Sequence, residues 1–425
     1  MKTIKCIIYT LIIIVIYCCD NDDEGSQKIM IAPTLTDNVE VYNGNLIENG
    51  YVFAVKNGGT ESFLLDKAGN KVKEWTFDKN LGNDLELLSD GRLLGIFKAE
   101  NPDILFGGYG GIVQLIDNEG NIEWEYTNAD NNQISHHDTE LLPNGNVLII
   151  IWERITAIEA QAIGMNTDVD IFTEKIIEVN PATNQIAWQW RSIEHTIQDN
   201  DNTASNFGSI SNNPKRIDIN YNLPQNGDIM HANGIDYDPD DDVIFLSVNK
   251  YSEIWVIDHS TSSAQASTGV GGNYNKGGDL IYRFGNPETY MNNFGERLFN
   301  SNHFPNFLQN NEPGSGNILV YENGIDVDIS TVYELEMPQN YNLIPNTDNE
   351  PNIIWSFTDP TMYHGRISGA VRLDNGNTLI TEGDFGFWEV TNSGEVVWKY
   401  NGMGDIYWRS YGYINSDQEI IDLNL

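Results

Sequence analysis

Short apolar runs with polar residues at alternate positions, folded back at Asn/Asp-Gly pairs, recur along the chain. DLELLSDGRLLGIF (84–97), DTELLPNGNVLIII (138–151) and GAVRLDNGNTLITE (369–382) share this form. GIDYDPDDDVIFLS (234–247) replaces the glycine turn with Pro-Asp-Asp, and FPNFLQNNEPGSGNILVYE (304–322) lengthens it. Period-two alternation on either side of such a turn predicts a β-hairpin, with the turn pair supplying the positive φ. A second hairpin follows each, its last strand carrying Trp: VQLIDNEGNIEWEY (113–126), IIEVNPATNQIAWQW (176–190) and FWEVTNSGEVVWKY (387–400). Residues 253–284 and 330–357 are stretched versions, and 48–77 is a degenerate first copy. Six units of four strands at this period predict an all-β fold, a six-bladed β-propeller. No segment has a helical period. The polar insertion 193–227 has the length of a lid or a mobile loop. The tail DIYWRSYGYI (405–414) is expected to complete the ring or cover a face.

Aligned on the first hairpin, the units place their histidines at one phase. His136 and His137 precede the first strand of unit three, His231 that of unit four and His303 that of unit five. His364 precedes that of unit six, slightly earlier; unit two has Asn83 and Asp84 there, and His195 and His259 fall elsewhere. In a propeller the first strand of each unit lines the central channel, so residues of equal phase converge on the axis. The plainer reading is that histidine caps strand ends and fills a closed channel with hydrogen bonds. Convergent polar groups in a concavity are also how a site looks. Such a cluster suits a metal, with Asp138 as a carboxylate ligand. It also suits an anion that takes protons from it, or a nucleophilic imidazole. Arg366, Lys250, Asn249, Asn233 and His136 are the candidate anion contacts.

The formal charge of −39 argues against nucleic acid and anionic lipid headgroups as partners. Lys2 and Lys5 precede the apolar run CIIYTLIIIVIY (6–17), which is too short to span a bilayer and ends at Cys18-Cys19. This resembles a bacterial lipoprotein signal over residues 1–18, with Cys19 lipidated, an acidic polar tether over 19–40 and the propeller over 41–425. The expected location is the cell envelope, with the membrane touched only through that anchor. The three cysteines are residues 6, 18 and 19, so disulfides, thiol nucleophiles and Cys-type zinc sites are excluded from the mature domain. GGYGG (107–111) and GVGGNYNKGGD (269–279) read as loops, lacking the strand–Gly–helix context of a phosphate cradle.

HHDTELLPNGNVLIIIWE, MHANGIDYDPDDDVIFLSVNKYSEIWVIDHST, GGDLIYRFGNPETY and ISGAVRLDNGNTLITEGDFGFWEV resemble the bacterial arylsulfotransferase family, over about Asp84 to Tyr413. The resemblance implies a six-bladed propeller with an axial active site. It implies sulfuryl transfer from an aryl sulfate to a phenol through a sulfo-histidine, with no cofactor and no resident metal. His231 and His303 match family histidines, although Asn302 stands where the family has Gln. The family's arginine is missing at Asp326, Val327 and Asp328, and Phe387 or a neighbour occupies the place of its sulfated histidine. The expected catalytic set is therefore His231, His303, His137 and His364, with Trp and Tyr stacking on the aryl ring. The rival reading is a non-catalytic surface lipoprotein that binds a sulfated, glycan or protein ligand. A quinoprotein propeller, suggested by NPATNQIAWQW, would be longer.

Overall fold

The computed structural model describes residues 33–425. The expected leader and Cys19 lie outside that range, and the compact unit runs from Thr34 to Leu425. The strand Val39–Tyr42 begins inside the expected tether and pairs antiparallel with Val396–Asn401. Its register sets Val39 against Tyr400 and Tyr42 against Trp398.

The architecture is all-β and propeller-like. Three sheets have four strands each, ordered outward from an inner strand: Tyr407–Ile414, Ala232–Asp238 or Asn302–Phe307. A fourth starts from Gly369–Arg372 and carries Val39–Tyr42 as a fifth strand at its outer edge. A further eight strands join through one parallel bridge, Asn83 to His137, between the inner strands Leu81–Leu87 and Gln133–Leu141. The two halves of this sheet also face each other across a core. Leu94, Ile96 and Trp124 on one side meet Ile149, Ile151 and Ile177 on the other. The tail completes a sheet: Tyr407–Ile414 pairs with Gly50–Lys56, so strands from both ends of the described chain share it.

The hairpin turns differ from expectation in one detail. Only the glycine of each Asn/Asp-Gly pair is left-handed, with φ of 82° at Gly91, 81° at Gly145 and 87° at Gly376. Gly91 N donates to Leu88 O, and Leu88 N to Arg92 O. This is a type I turn closed by a glycine bulge, a three-residue loop with a single positive φ. In the Pro-Asp-Asp variant Asp242 fills that role at φ 53°, which Asp tolerates better than most residues.

The repeated Trp has a structural use. Trp124 Nε1 donates to Asn184 Oδ1 at 2.6 Å, Trp188 to Thr261 Oγ1 at 3.1 Å, Trp355 to Asn392 O at 3.0 Å and Trp398 to Lys67 O at 2.8 Å. Each bond runs from an outer strand to a turn of the next sheet. An outer strand has one face on its neighbour and one edge in water, and the indole serves both. These rings are staples between sheets, so they do not stack on substrate.

Two short helices, Ala157–Ala162 and Ser263–Ala266, sit in connections and a third, Gln418–Leu423, follows the last strand, all too brief for a period to register. The first two begin with capping boxes, Thr156 with Glu159 and Ser262 with Gln265. The insertion 193–227 is not lid-like. Thr196–Ile197 and Ile217–Asp218 pair within it, and its ends are pinned on Asp279 by His195, Lys215 and Arg216 at 2.8–3.0 Å.

Candidate functional site

The inner strands share a distortion where the histidines lie. Asn83 (φ 141°), His137 (57°), His231 (55°), Phe304 (53°) and Ser368 (105°) are left-handed non-glycine residues. Register shifts accompany four of them: between Leu81 and Leu85, opposite His136–Asp138, between Ala232 and Gly234, and between His303 and Pro305. A further shift leaves Trp408 as an extra residue between Tyr407 and Arg409. A bulge puts one surplus residue into a strand and re-aims its side chains. Here it turns rings from several sheets toward one another.

His137 lies 4.9 Å from His231 and 5.6 Å from Trp408, centroid to centroid, and Trp408 lies 5.8 Å from His303. His136 stacks flat on Trp152 at 3.8 Å, and Trp152 reaches His231 at 5.5 Å. Asn323 carries the chain on to His364: its Oδ1 meets His303 Nδ1 at 2.7 Å, and its Nδ2 donates to His364 O at 2.7 Å. The five phase-matched histidines therefore form one connected group. His195 and His259 lie outside it, bonded to Asp279 and Asp242.

The hydrogen bonds assign each imidazole a different capacity. His136 Nε2 meets Glu174 Oε2 at 3.0 Å, and its Nδ1 meets His137 Nδ1 at 2.8 Å. The remaining nitrogen of His137 packs against Gly108, where a Cβ would stand 2.0 Å from Nε2. So Nδ1 of His137 is taken by His136, and its Nε2 is crowded by Gly108 and has no carboxylate behind it. Burial drives both imidazoles well below the usual histidine range, so the pair is neutral. Burial also pushes the Glu174 carboxyl up to about 8.

His364 Nδ1 accepts backbone N–H bonds from Arg366 (3.2 Å) and Ile367 (3.1 Å), which leaves the proton on Nε2, 3.3 Å from Asp384. It has no lone pair to spare. His303 gives its Nδ1–H to Asn323 and keeps a lone pair on Nε2, but it is buried, and burial lowers its pKa to about 3. His231 Nδ1 meets Asp228 Oδ2 at 2.7 Å, leaving Nε2 free, and its side chain is 19% exposed. Lys250 Nζ braces the same carboxylate at 2.9 Å and Asp228 O at 2.8 Å. Burial alone would raise the Asp228 pKa, but the bond from His231 and the Lys250 charge hold it below the usual range.

The expected anion contacts divide. Lys250 is spent on Asp228. Asn233 is buried and donates to Asn302 O at 2.7 Å, and Asn249 donates to Ser301 Oγ at 2.5 Å. Arg366 is exposed beside His364. Asp138 is no metal ligand here: it accepts from Arg409 at 2.8 Å and from Ile235 N at 2.9 Å. Among the described residues, no three His, Cys, Asp or Glu side chains are grouped to hold a metal ion. Phe387 lies in the core against Tyr400 and Tyr407, away from the histidines.

Several members of the group escape a sequence reading. Asp228 lies three residues before His231, a spacing that could have been noticed. Glu174 is a lone acid in the apolar run of Ile171–Asn180, and Trp152 ends such a run. Arg409 is 1% exposed and lies over Phe304 at 3.9 Å, between Asp138 and Asp84, at 2.8 and 3.2 Å. Nothing local marks it.

A sequence model of the family described as arylsulfotransferase (ASST) matches residues 28–401. The chain belongs to the arylsulfotransferase family. The family acts on aryl sulfates and phenols, so the fold is that of a sulfotransferase-like enzyme. No curated protein matches the chain. Among solved structures it is similar to the Cps50 (Swd1) β-propeller domain of Myceliophteria thermophila, with 10% identity, 90% of this chain and 97% of that one covered, and TM-score 0.40. It is also similar to a functionally unknown protein from Desulfotomaculum acetoxidans, with 10% identity, coverage of 85% and 98%, and TM-score 0.41. A third is hydrazine synthase of Kuenenia stuttgartiensis, with 14% identity, coverage of 67% and 67%, and TM-score 0.36. These likenesses are too distant to bear on this arylsulfotransferase-family chain's chemistry.

Proposed function

We propose that the chain is an aryl-sulfate sulfotransferase whose nucleophile is His231 Nε2, in an axial site of a six-bladed propeller. The blade count is supported by six inner strands, each beside the next, and by the core between the halves of the eight-stranded sheet. The nucleophile is supported by one observation above all. Among the five grouped histidines, only His231 combines an open lone-pair nitrogen, solvent access and a carboxylate on its other nitrogen.

In the first half-reaction the Nε2 lone pair forms a bond to sulfur, the S–O(aryl) bond breaks and a phenolate leaves. The positive charge on the sulfo-imidazole is held at Nδ1–H by the Asp228 carboxylate, which Lys250 fixes in place. In the second, the acceptor phenol oxygen bonds to sulfur, the N–S bond breaks, and the phenol proton passes to solvent beside His231. His303, His364, His137 and His136 then line and shape the site, with the Nε2–H of His364 as a donor to a sulfuryl or departing oxygen and the His303 Nε2 lone pair as an acceptor for the incoming phenol O–H. Arg366 lies exposed beside His364 as a further cation of the set. On its leader the chain is placed at the cell envelope as a lipoprotein anchored through Cys19.

The test is transfer from 4-nitrophenyl sulfate to phenol. His231→Ala should abolish it, and Asp228→Asn should lower kcat by about 10²–10⁴-fold, the span for losing an acid–base partner. Turnover in His231→Ala with loss in His303→Ala would move the nucleophile to His303. No turnover in the intact chain across a range of aryl sulfates would favour ligand binding without catalysis. That second reading draws on one observation: Lys250 and Arg409, the cations at the centre, are both consumed by carboxylates.

A further inference from the structure

Glu174, His136 and His137 form a line of hydrogen bonds that ends beside His231. Glu174 and His136 have no exposed surface. Glu174 Oε1 accepts from Ala232 N at 2.8 Å, and Oε2 meets His136 Nε2 at 3.0 Å. Two nitrogens then face each other, His136 Nδ1 and His137 Nδ1 at 2.8 Å, so one carries the hydrogen and the other accepts it. The far nitrogen, His137 Nε2, has no hydrogen-bond partner among the described residues but is not sealed from solvent. Gly108 leaves its edge clear. A Cβ on Gly108 would stand 2.0, 2.2 and 2.5 Å from Nε2, Cε1 and Cδ2. Such even spacing lies over the ring face; a methyl in the ring plane ahead of Nε2 would be much farther from both carbons than from the nitrogen. The ring lies 4.9 Å from that of His231, so it borders the space where His231 meets sulfur.

Two proton arrangements satisfy every partner along this line. With Glu174 as the acid, it donates to His136 Nε2, His136 Nδ1–H donates to His137 Nδ1, and His137 presents Nε2–H. With Glu174 as the carboxylate, His136 holds its proton on Nε2, His137 holds its own on Nδ1, and His137 presents a lone pair. Both imidazoles are neutral in either arrangement, and the two differ by one proton. Burial raises the Glu174 carboxyl to about 8, which brings that difference near neutral pH, and burial keeps both rings from taking a charge. The charged or titratable side chains that face the line are Asp228, braced by Lys250, His231, His303 and Arg409; each is bonded elsewhere. Glu174 touches no solvent, so its proton comes and goes through the rings.

We propose that Glu174, His136 and His137 are a proton relay that protonates the departing aryl oxygen at His137 Nε2, a reading that rests on sulfuryl transfer at His231. As the S–O(aryl) bond breaks, the oxygen's electron pair takes the Nε2 proton of His137. His137 Nδ1 takes the Nδ1 proton of His136, and His136 Nε2 takes the proton of Glu174. The aryl group leaves as a phenol, and Glu174 becomes a carboxylate held by Ala232 N–H and His136 Nε2–H. A proton from solvent, taken up at His137 Nε2 once the phenol has gone, reloads the line by the reverse shifts. His137 touches the reacting oxygen; Glu174 and His136 act through it.

The test has two arms. The first is nitrogen NMR of isotopically labelled histidine in the full chain, without substrate, across neutral and alkaline pH. His136 and His137 should exchange tautomers in opposite senses at one shared midpoint near 8, neither becoming imidazolium. Glu174→Gln has to turn its carbonyl to Ala232 N–H, so its amide N–H faces His136 and both rings should keep the low-pH tautomers throughout. Fixed tautomers in the unaltered chain, or rings that titrate separately, would overturn the relay. The second arm compares donors with one acceptor. 4-Nitrophenolate leaves readily without a proton and phenolate does not. Glu174→Gln should therefore cut kcat for phenyl sulfate by about 10²-fold or more, as for loss of a general acid, and for 4-nitrophenyl sulfate by less than about tenfold. In the unaltered chain kcat for phenyl sulfate should fall as pH rises through the Glu174 pKa, and the variant should lack that limb. Equal losses with both donors would make Glu174 a structural support and overturn the relay. No turnover of either donor by the unaltered chain would overturn sulfuryl transfer at His231 and the leaving-group step with it, while the tautomer exchange alone decides whether the proton line exists.

Discussion

Replacing Arg409 with Met keeps a long apolar stem over Phe304 but removes the guanidinium. Arg409 Nη1 lies 2.8 Å from Asp138 and 3.2 Å from Asp84, and Nη2 donates to Asn233 O at 3.2 Å. All three side chains of the ion cluster are buried. Removing one partner of a buried ion pair costs about 3–5 kcal/mol, because the other charge stays behind. Losing the cation–ring contact at 3.9 Å adds on the order of 1 kcal/mol. The pH dependence gives a sharper signature than the total. Burial, with Asp138 beside it, already holds the Asp84 carboxyl well above its usual range. Without Arg409 nothing offsets burial at Asp84, so its carboxyl is pushed up further and holds in the folded state a proton that the unfolded chain has released. Stability then falls more steeply as pH rises, by up to about 1.4 kcal/mol per unit for that carboxyl. Urea unfolding at pH 5, 6.5 and 8 should show a deficit that widens with pH and closes in part when Asp138→Asn is added. A deficit under about 1 kcal/mol at pH 8, or one that does not change with pH, would refute the account of Arg409 as the cation that keeps the axis folded.

Three further outcomes follow from single contacts. Glu174→Gln mimics the protonated acid toward His136 and Ala232 N; since Glu174 is raised from 4.5 to about 8, it costs the wild type up to roughly 4–5 kcal/mol as pH climbs between those values. The variant should therefore be the more stable protein at pH 9, and equal pH slopes for the two would contradict this. Gly108→Ala puts a methyl 2.0 Å from His137 Nε2 at φ 85°, so ordered packing of the His pair should be lost, visible as shifted imidazole NMR signals. Trp398→Phe removes the 2.8 Å bond to Lys67 O and leaves a void in a fully buried site, so unfolding free energy should drop by about 2–4 kcal/mol.

The hairpins were legible because each rests on local chemistry. Alternation sets the strand, and a glycine or Asp242 sets the turn. The shared phase of His136, His137, His231, His303 and His364 was legible for the same reason, as one position in a repeat. What each imidazole can do was not. The tautomer of two of them is fixed by residues far away in sequence, Glu174 for His136 and Asn323 for His303, and that of His364 by a local bend at Arg366 and Ile367 that no sequence pattern marks. The Trp signal was visible as a mark of the repeat, but its bonding was not, because the partner of each indole lies in a later hairpin or at the other end of the chain. Arg409 was invisible, since its two aspartates and its ring come from three other inner strands.

The backbone distortion ties these threads together. Five non-glycine residues hold left-handed geometry at nearly one phase, Asn83, His137 and Ser368 in register with Phe304 one residue later and His231 two earlier, which costs of order 1–3 kcal/mol each. Their side chains share no chemistry, being Asn, His, His, Phe and Ser, so no side-chain preference explains the set. A strand lining a narrow axis presents its edge inward and its side chains to the neighbouring sheets. To aim rings at the axis it must break that alternation, and one surplus residue per strand does so. The strain is then the cost of facing His137, His231 and Trp408 into one space. A scaffold built only to pack would have no reason to keep it at the same place in sheet after sheet.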